Sequence, residues 1–199
     1  MMLMISIRKF VFYFTLLLSG VLLSACDKSP AAFQGSDITG TNIGQNWGLH
    51  DTSAVMRDAK SFPGQVVLVF FGFTQCPDIC PAALSEVSEA MSLLGSDAKD
   101  VQVLMITVDP ERDTPTVLSS YLSAFNPSFK GLVGSPEQLK QTASSFKAYY
   151  AKSMLPDGNY TMDHSTSFYL FDKTGQPRVL LSNQAGAAAI AHDMKALLR

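Results

Sequence analysis

"VVLVFFGFTQCPDICPAALSEVSEAMSLLG", residues 66–95, decides the fold. Val66–Phe71 is a short, near-continuous apolar run rich in β-branched residues, the pattern of a central strand covered on both faces. A break of Gly, Thr and Pro follows, with two cysteines four positions apart. After it Leu84, Val87, Met91 and Leu94 recur at helical spacing until Gly95, a residue suited to the position just past a helix end. A second apolar run, "VQVLMITV" at 101–108, completes a β-α-β unit.

Working outward, Thr114-Pro115 announces a helix by an N-cap followed by Pro at the first helical position. Ser135-Pro136-Glu137-Gln138 announces another, with Gln138 completing a capping box. Between them "GLVG" at 131–134 reads as a short strand. "SFYLF" and "PRVLLS" flank the turn-bearing "DKTGQ" and predict an antiparallel hairpin. A last helix is expected to bury Ile190, Met194, Leu197 and Leu198. Parallel strands first, then a hairpin and a closing helix, is the order of a thioredoxin-like α/β domain: a central sheet flanked by helices.

The chain has 199 residues, 47% hydrophobic and 16% charged, enough for one well-cored domain once any targeting segment is set aside. Its start is such a segment: Arg8 and Lys9, an apolar run Phe10–Leu23, then small residues leading into Cys26. The alternative, an uncleaved membrane anchor, fits Gly20, Ser24 and Ala25 less well than a cleavage site does. "LLSAC" resembles a bacterial lipobox, so residues 1–25 read as a lipoprotein signal and Cys26 as the lipidated residue of a membrane-anchored form. Asp27 resembles the enteric signal for retention at the inner membrane, which gives a bacterial inner-membrane protein facing the periplasm. Without Arg8 and Lys9 the remainder carries 13 Lys+Arg against 17 Asp+Glu, formally −4. No basic stripe speaks for nucleic acid. Residues 26–44, rich in Ser, Gly, Thr, Asn and Asp, read as a flexible tether, and 45–199 as the domain.

Cys76 and Cys80 are the two thiols left in an oxidising compartment. Cys76 follows the carboxyl end of a central strand at the entrance to a helix, a common place for sites in open α/β sheets and one that favours thiolate. On a regular helix, Cβ atoms at i and i+4 lie about 5–6 Å apart, whereas a disulfide wants about 3.5–4.5 Å. Pro77 and Pro81 are therefore expected to make the first turn irregular, leaving the pair free to join or to spread around a metal. Of three histidines, His192 falls off the apolar face of its helix and His50 has a plain polar role near an early strand. His164 directly precedes a predicted strand at the sheet end nearest the cysteines. Two thiols and one imidazole are too few for a closed zinc site, which takes four ligands. They suit copper: thiolate favours Cu(I) and imidazole supports Cu(II).

"FTQCPDICP", "TVDPERDTP" and "DHSTSFYLFDKTG", in that order, resemble the Sco (SenC) copper chaperones of cytochrome c oxidase assembly, over roughly Gly44 to the C-terminus. The resemblance implies a thioredoxin-like fold with copper held by Cys76, Cys80 and His164. It implies as partner the copper-binding subunit of a haem-copper oxidase, with another periplasmic copper carrier as a second candidate. Asp78 and Asp163 resemble acidic positions of the family and are expected to tune the site and orient His164, or to serve as turn and capping residues. Asp109 and Pro110 match the family's post-strand loop, read here as turn and helix-start chemistry. Ordinary thioredoxins carry a proline before the corresponding strand, whereas this chain has Ser165 and Thr166 after His164.

The leading expectation is a copper chaperone for the binuclear copper centre of the oxidase. The alternative is a membrane-anchored thiol-disulfide oxidoreductase using Cys76 and Cys80 as a redox pair on the oxidase copper site or on another carrier, with Cys76 as the attacking thiol. Peroxide reduction lacks its Thr-x-x-Cys, since Phe73 stands three residues before Cys76. Haem attachment lacks C-x-x-C-H. A purely structural disulfide across so short a loop would gain little entropy.

Overall fold

The computed structural model describes residues 32–199; the leader, Cys26 and the start of the expected tether lie outside the described residues. The centre is β4 (Val66–Gly72) parallel to β5 (Val101–Thr107), with β5 parallel in turn to β6 (Lys130–Val133). Every residue of β4 and β5 is buried. That follows from the alternation of a strand's two faces. Val66, Leu68 and Phe70 join Leu84, Val87, Ile190 and Met194 in one core, while Val67, Val69 and Phe71 join Leu104, Ile106, Leu139 and Phe146 in the other.

The first core is roofed by α1 (Ile79–Leu94) and α4 (Ala187–Leu198), with α2 (Pro115–Ser123) beside them; α3 (Pro136–Phe146) covers the second. The expected caps form: the Thr114 hydroxyl accepts from the Val117 amide, and Ser135 and Gln138 make the reciprocal capping box. Phe146, fully buried, sets its ring edge-on to Phe71, Tyr169 and Phe171 at 5.3, 5.0 and 5.9 Å. The expected hairpin is β9 (Phe168–Phe171) with β10 (Pro177–Leu181); β9 runs antiparallel to β4. With β1 (Ser36–Asp37), β2 (Leu49–Asp51) and β3 (Met56–Arg57), the sheet order is β1-β10-β9-β4-β5-β6-β2-β3, a thioredoxin-like arrangement with an extended edge. Among the described residues no helix is long and apolar enough to cross a membrane.

Four expectations change. The domain begins at Phe33, not at 45, so the segment read as tether is packed from there on. Ser36 and Asp37 pair with β10, and the Gln34 and Gly35 amides donate to the carboxylate of Asp193, which is buried in mid-α4. Polar composition concealed a segment held by its backbone together with a few apolar side chains, Phe33, Ile38 and Ile43. Leu198 is only partly buried, one position past the face that carries Ile190, Met194 and Leu197. The helix that carries Cys80 starts at Ile79, so Pro81 sits in its first turn, where the missing N–H has no intrahelical partner to lose, and the turn is regular. His164 ends a strand of its own, β8 (Tyr160–His164), paired antiparallel with β7 (Tyr150–Met154) in a separate two-stranded sheet that the apolar pattern did not reveal.

Candidate metal centre

Gly72 ends β4, and the chain leaves the sheet through Phe73-Thr74-Gln75 to Cys76. A Cβ at Gly72 would stand 3.0 Å from Cys80 Sγ, so the absent side chain is the room in which the second thiol sits. Cys76 is half-buried before the helix, and Cys80, the second residue of α1, is 2% exposed. The Cys80 amide donates to Cys76 Sγ at 3.4 Å, so this sulfur takes one of the free N–H groups of the helix start. Both thiols are free. Burial pushes the Cys80 thiol well above its ordinary value, against a Phe73 backbone hydrogen bond that pulls it down.

His164 comes to this thiol from the other sheet. Its Nε2 lies 3.7 Å from Cys80 Sγ, and its Nδ1 lies 2.8 Å from the Ser165 carbonyl oxygen. A carbonyl only accepts, so Nδ1 carries the proton. Burial holds the imidazole below its ordinary value, opposed by the Ser165 contact and by the charge of Asp163. The neutral ring therefore turns the Nε2 lone pair toward Cys80, the tautomer a metal or a thiol proton needs. Phe73 packs at right angles to the ring, 5.8 Å between centroids.

A cleft of about 370 Å³ opens here, lined by Cys76, His164, Asp78, Asp163, Ile79 and Met162 among others. Met162 and His164, two apart on β8, share one face. The structure thus brings Cys80 to His164 and places Cys76 in the same cleft. Among the described residues, however, no three His, Cys, Asp or Glu side chains are gathered tightly enough to hold a metal as they stand. Asp78 occupies the N-cap position of α1 without a side-chain capping bond, and Asp163 is exposed; the orienting bond expected of Asp163 comes from the Ser165 carbonyl. His50 is exposed on β2, and His192, half-exposed, bonds Asp193 at 2.9 Å.

Sequence reasoning missed the network behind the cleft. Asp113, fully buried, accepts from the Thr74 amide at 3.1 Å and from the Thr74 and Thr107 hydroxyls, both at 2.6 Å. Asp109, also buried, pairs with Arg112 Nε and accepts from the Tyr160 hydroxyl at 3.0 Å. Arg112 donates to the Tyr160 carbonyl at 3.0 Å and lies 3.8 Å over the Tyr160 ring. The available signal is two carboxylates and an arginine at the carboxyl end of a central strand, more charge than a turn requires.

A family model described as SCO1/SenC matches residues 35–199. The SCO2-like protein of Rickettsia felis is 40% identical over 136 residues, 67% of this chain and 66% of that protein. The mitochondrial SCO2 homolog of Bos taurus is 40% identical over 137 residues, 67% of this chain and 52% of that protein. The chain therefore spans just under two thirds of the rickettsial relative's length and about half of the bovine one. Among solved structures, Bradyrhizobium japonicum ScoI with copper bound superposes with a TM-score of 0.71 at 39% identity, covering 78% of this chain and 99% of that one.

Proposed function

The chain belongs to the SCO1/SenC family, and from that membership we propose that it is a copper chaperone for the binuclear copper centre of cytochrome c oxidase, binding copper as cargo through Cys76, Cys80 and His164. The observation that carries the reading is the Nε2 lone pair of a neutral His164 aimed at a buried free thiol. The donor set fits: two sulfurs select a soft ion, and one imidazole extends the range to Cu(II). Copper bound to the Bradyrhizobium, Arabidopsis and yeast relatives supports the choice of metal. Cys80 must give up its proton as the metal arrives, while the Ser165 carbonyl keeps the imidazole in the ligating tautomer. Cys76, at the mouth of the cleft, is the donor an incoming partner reaches first. That partner is the copper-binding subunit of a haem-copper oxidase, met at the periplasmic face of the inner membrane, to which a lipid on Cys26 anchors the chain.

Anaerobic titration of the reduced protein with Cu(I) and Cu(II), beside Cys76→Ser, Cys80→Ser and His164→Ala, tests this. One copper per chain is expected, with Cu(II) thiolate charge-transfer bands lost or shifted in each variant. Copper binding indifferent to His164 would refute the ligand set. The half-exposed Cys76 beside a buried Cys80 also favours the second reading, a thiol-disulfide oxidoreductase in which Cys76 attacks and Cys80 resolves. It predicts a partner trapped as a mixed disulfide by Cys80→Ser, and no such adduct under copper chaperoning alone.

A further inference from the structure

The two halves of the candidate site hang on separate sheets. The cysteine loop follows β4 of the main sheet, whereas His164 ends β8, which pairs only with β7. No strand hydrogen bond joins β8 to β4, so strand pairing reaches His164 only through the link 165–167 into β9, and side-chain contacts are left to fix the distance between sulfur and imidazole. We propose that the loop Asp109–Asp113 sets it: this loop is a positioning platform that registers the histidine hairpin against the cysteine loop, with Arg112 as the joining group. The inference rests on the copper reading of the site.

Each half is gripped by a different buried carboxylate of that one loop. Asp113 holds the cysteine loop through the amide and hydroxyl of Thr74, two residues before Cys76, and ties it to Thr107 at the end of β5. Asp109 holds the hairpin through the hydroxyl of Tyr160, the first residue of β8. The carboxylates are linked within the loop, the Asp113 amide donating to the Asp109 carbonyl at 2.9 Å. Arg112 spans both halves: it pairs with Asp109, donates to the Tyr160 carbonyl, stacks on the Tyr160 ring, and lies 5.9 Å from the centre of the Phe73 ring. Phe73 in turn packs on His164. Tyr160, Met162 and His164 share a face of β8, so fixing Tyr160 fixes the rail on which the imidazole rides, about 13 Å along at 3.3 Å per residue. The exposed Lys152–Glu111 pair joins the same loop to β7, but at the surface it contributes little.

The test compares Arg112→Gln, Tyr160→Phe and Lys152→Ala with the unsubstituted protein for Cu(I) and Cu(II) affinity, with His164→Ala alongside. Losing an outer group that orients a metal ligand typically costs about ten- to a hundredfold in affinity. Arg112→Gln should weaken Cu(II) by that factor and shift its charge-transfer band, while Cu(I), held mainly by sulfur, changes less than about threefold. Tyr160→Phe, which keeps the ring and should fold even if Arg112→Gln does not, should show the same split at about tenfold. Lys152→Ala, which removes an exposed ion pair and a contact 4.1 Å over the Tyr160 ring, should weaken Cu(II) by less than about threefold. In metal-free protein, imidazole nitrogen NMR should read a fixed Nδ1–H tautomer at His164 that averages in both platform variants. Equal weakening of both copper states, or none in folded variants with the His164 tautomer still fixed, would overturn the platform. Cu(II) binding unaffected by His164→Ala would instead overturn the copper reading, and the NMR comparison would still decide the positioning.

Discussion

Asp113→Ala should be among the costlier single substitutions in this chain. The carboxylate is fully buried and satisfies three donors: the Thr74 amide, the Thr74 hydroxyl and the Thr107 hydroxyl. Hydrogen bonds to a charged group contribute roughly 1.5–3 kcal/mol each, so a simple sum approaches about 9 kcal/mol at its upper end. Two features reduce it. Thr74 is only half-buried, so water can reach its donors, and the Thr107 hydroxyl still accepts from the Asp109 amide at 3.0 Å. About 3–4 kcal/mol remains, or a fall in Tm of roughly 10 °C for a domain this size. Asp113→Asn should cost only about 1–2 kcal/mol, because its oxygen can serve the Thr74 amide while a hydroxyl rotates to accept from its nitrogen. Urea unfolding of the reduced, metal-free protein, followed by fluorescence of Trp47, the single, buried tryptophan, measures both. A second readout is alkylation of the buried Cys80, which should accelerate in Asp113→Ala because Thr74 anchors the loop that leads into its helix. If Asp113→Ala lay within about 0.5 kcal/mol of the parent, as an exposed substitution would, the carboxylate would not be the anchor of the cysteine loop.

Copper uptake should depend on pH through Cys80. Burial keeps this thiol protonated across pH 6–8, so displacing its proton should tighten apparent Cu(I) affinity about tenfold per pH unit, a step that Cys80→Ser removes. Metal-free stability should fall at both ends of the pH range. His164 is depressed, so its contribution is complete above the ordinary imidazole value of 6.5 and is lost as pH falls below it; Cys80 is raised, so its contribution is complete below the ordinary thiol value of 9.0 and is lost as pH rises above it. Urea midpoints from pH 5 to 10 should show the acid limb flattened by His164→Phe and the alkaline limb by Cys80→Ala. Gly44→Ala should cost about 2–4 kcal/mol, since φ is +64° there and a Cβ would meet Phe171 at 2.5 Å and Phe146 at 2.8 Å. A wild-type urea midpoint for Gly44→Ala would show that the segment before 45 is loose after all.

The parallel core was legible because β4 and β5 advertise burial on both faces, and the helix starts because Thr114 and Ser135 are strong caps followed by Pro. Cys76 and Cys80 could be singled out as the two thiols left after Cys26 is set aside, and His164 by its place before a predicted strand. What escaped is held by other forces. Asp193 draws Gln34 and Gly35 into the domain through their backbone amides, which every residue possesses and no composition reports. The β7–β8 hairpin, "YAKSM" and "YTMDH", is half-exposed and mixed in polarity, so neither strand period stands out. Asp109 and Asp113 look like turn formers one at a time. Their role depends on Thr74 and Tyr160, which lie 39 and 51 residues away.

The three proposed donors sit on different kinds of support, and that distribution bears on transfer. Cys80 is buried at the start of a helix packed on the core, His164 rides the end of a two-stranded sheet, and Cys76 stands in the loop between strand and helix. A storage site gains by gathering every ligand rigidly, since a closed set of four holds its metal against competitors. A carrier gains from the opposite arrangement. One donor stays fixed in the core, one is placed by a platform that can be loosened without unfolding the sheet, and one lies where an acceptor's ligand can replace it. A metal then leaves by successive exchange of single ligands, with no step at which all its bonds are broken at once. On this argument the three donors should not be equivalent. Loss of Cys80 should abolish copper retention, loss of His164 should weaken Cu(II) above Cu(I), and loss of Cys76 should leave copper bound but released to an external thiol ligand faster than from the parent. Equal release rates from the Cys76 and Cys80 serine variants would mean that the division between a buried and an exposed thiol has no part in the hand-over.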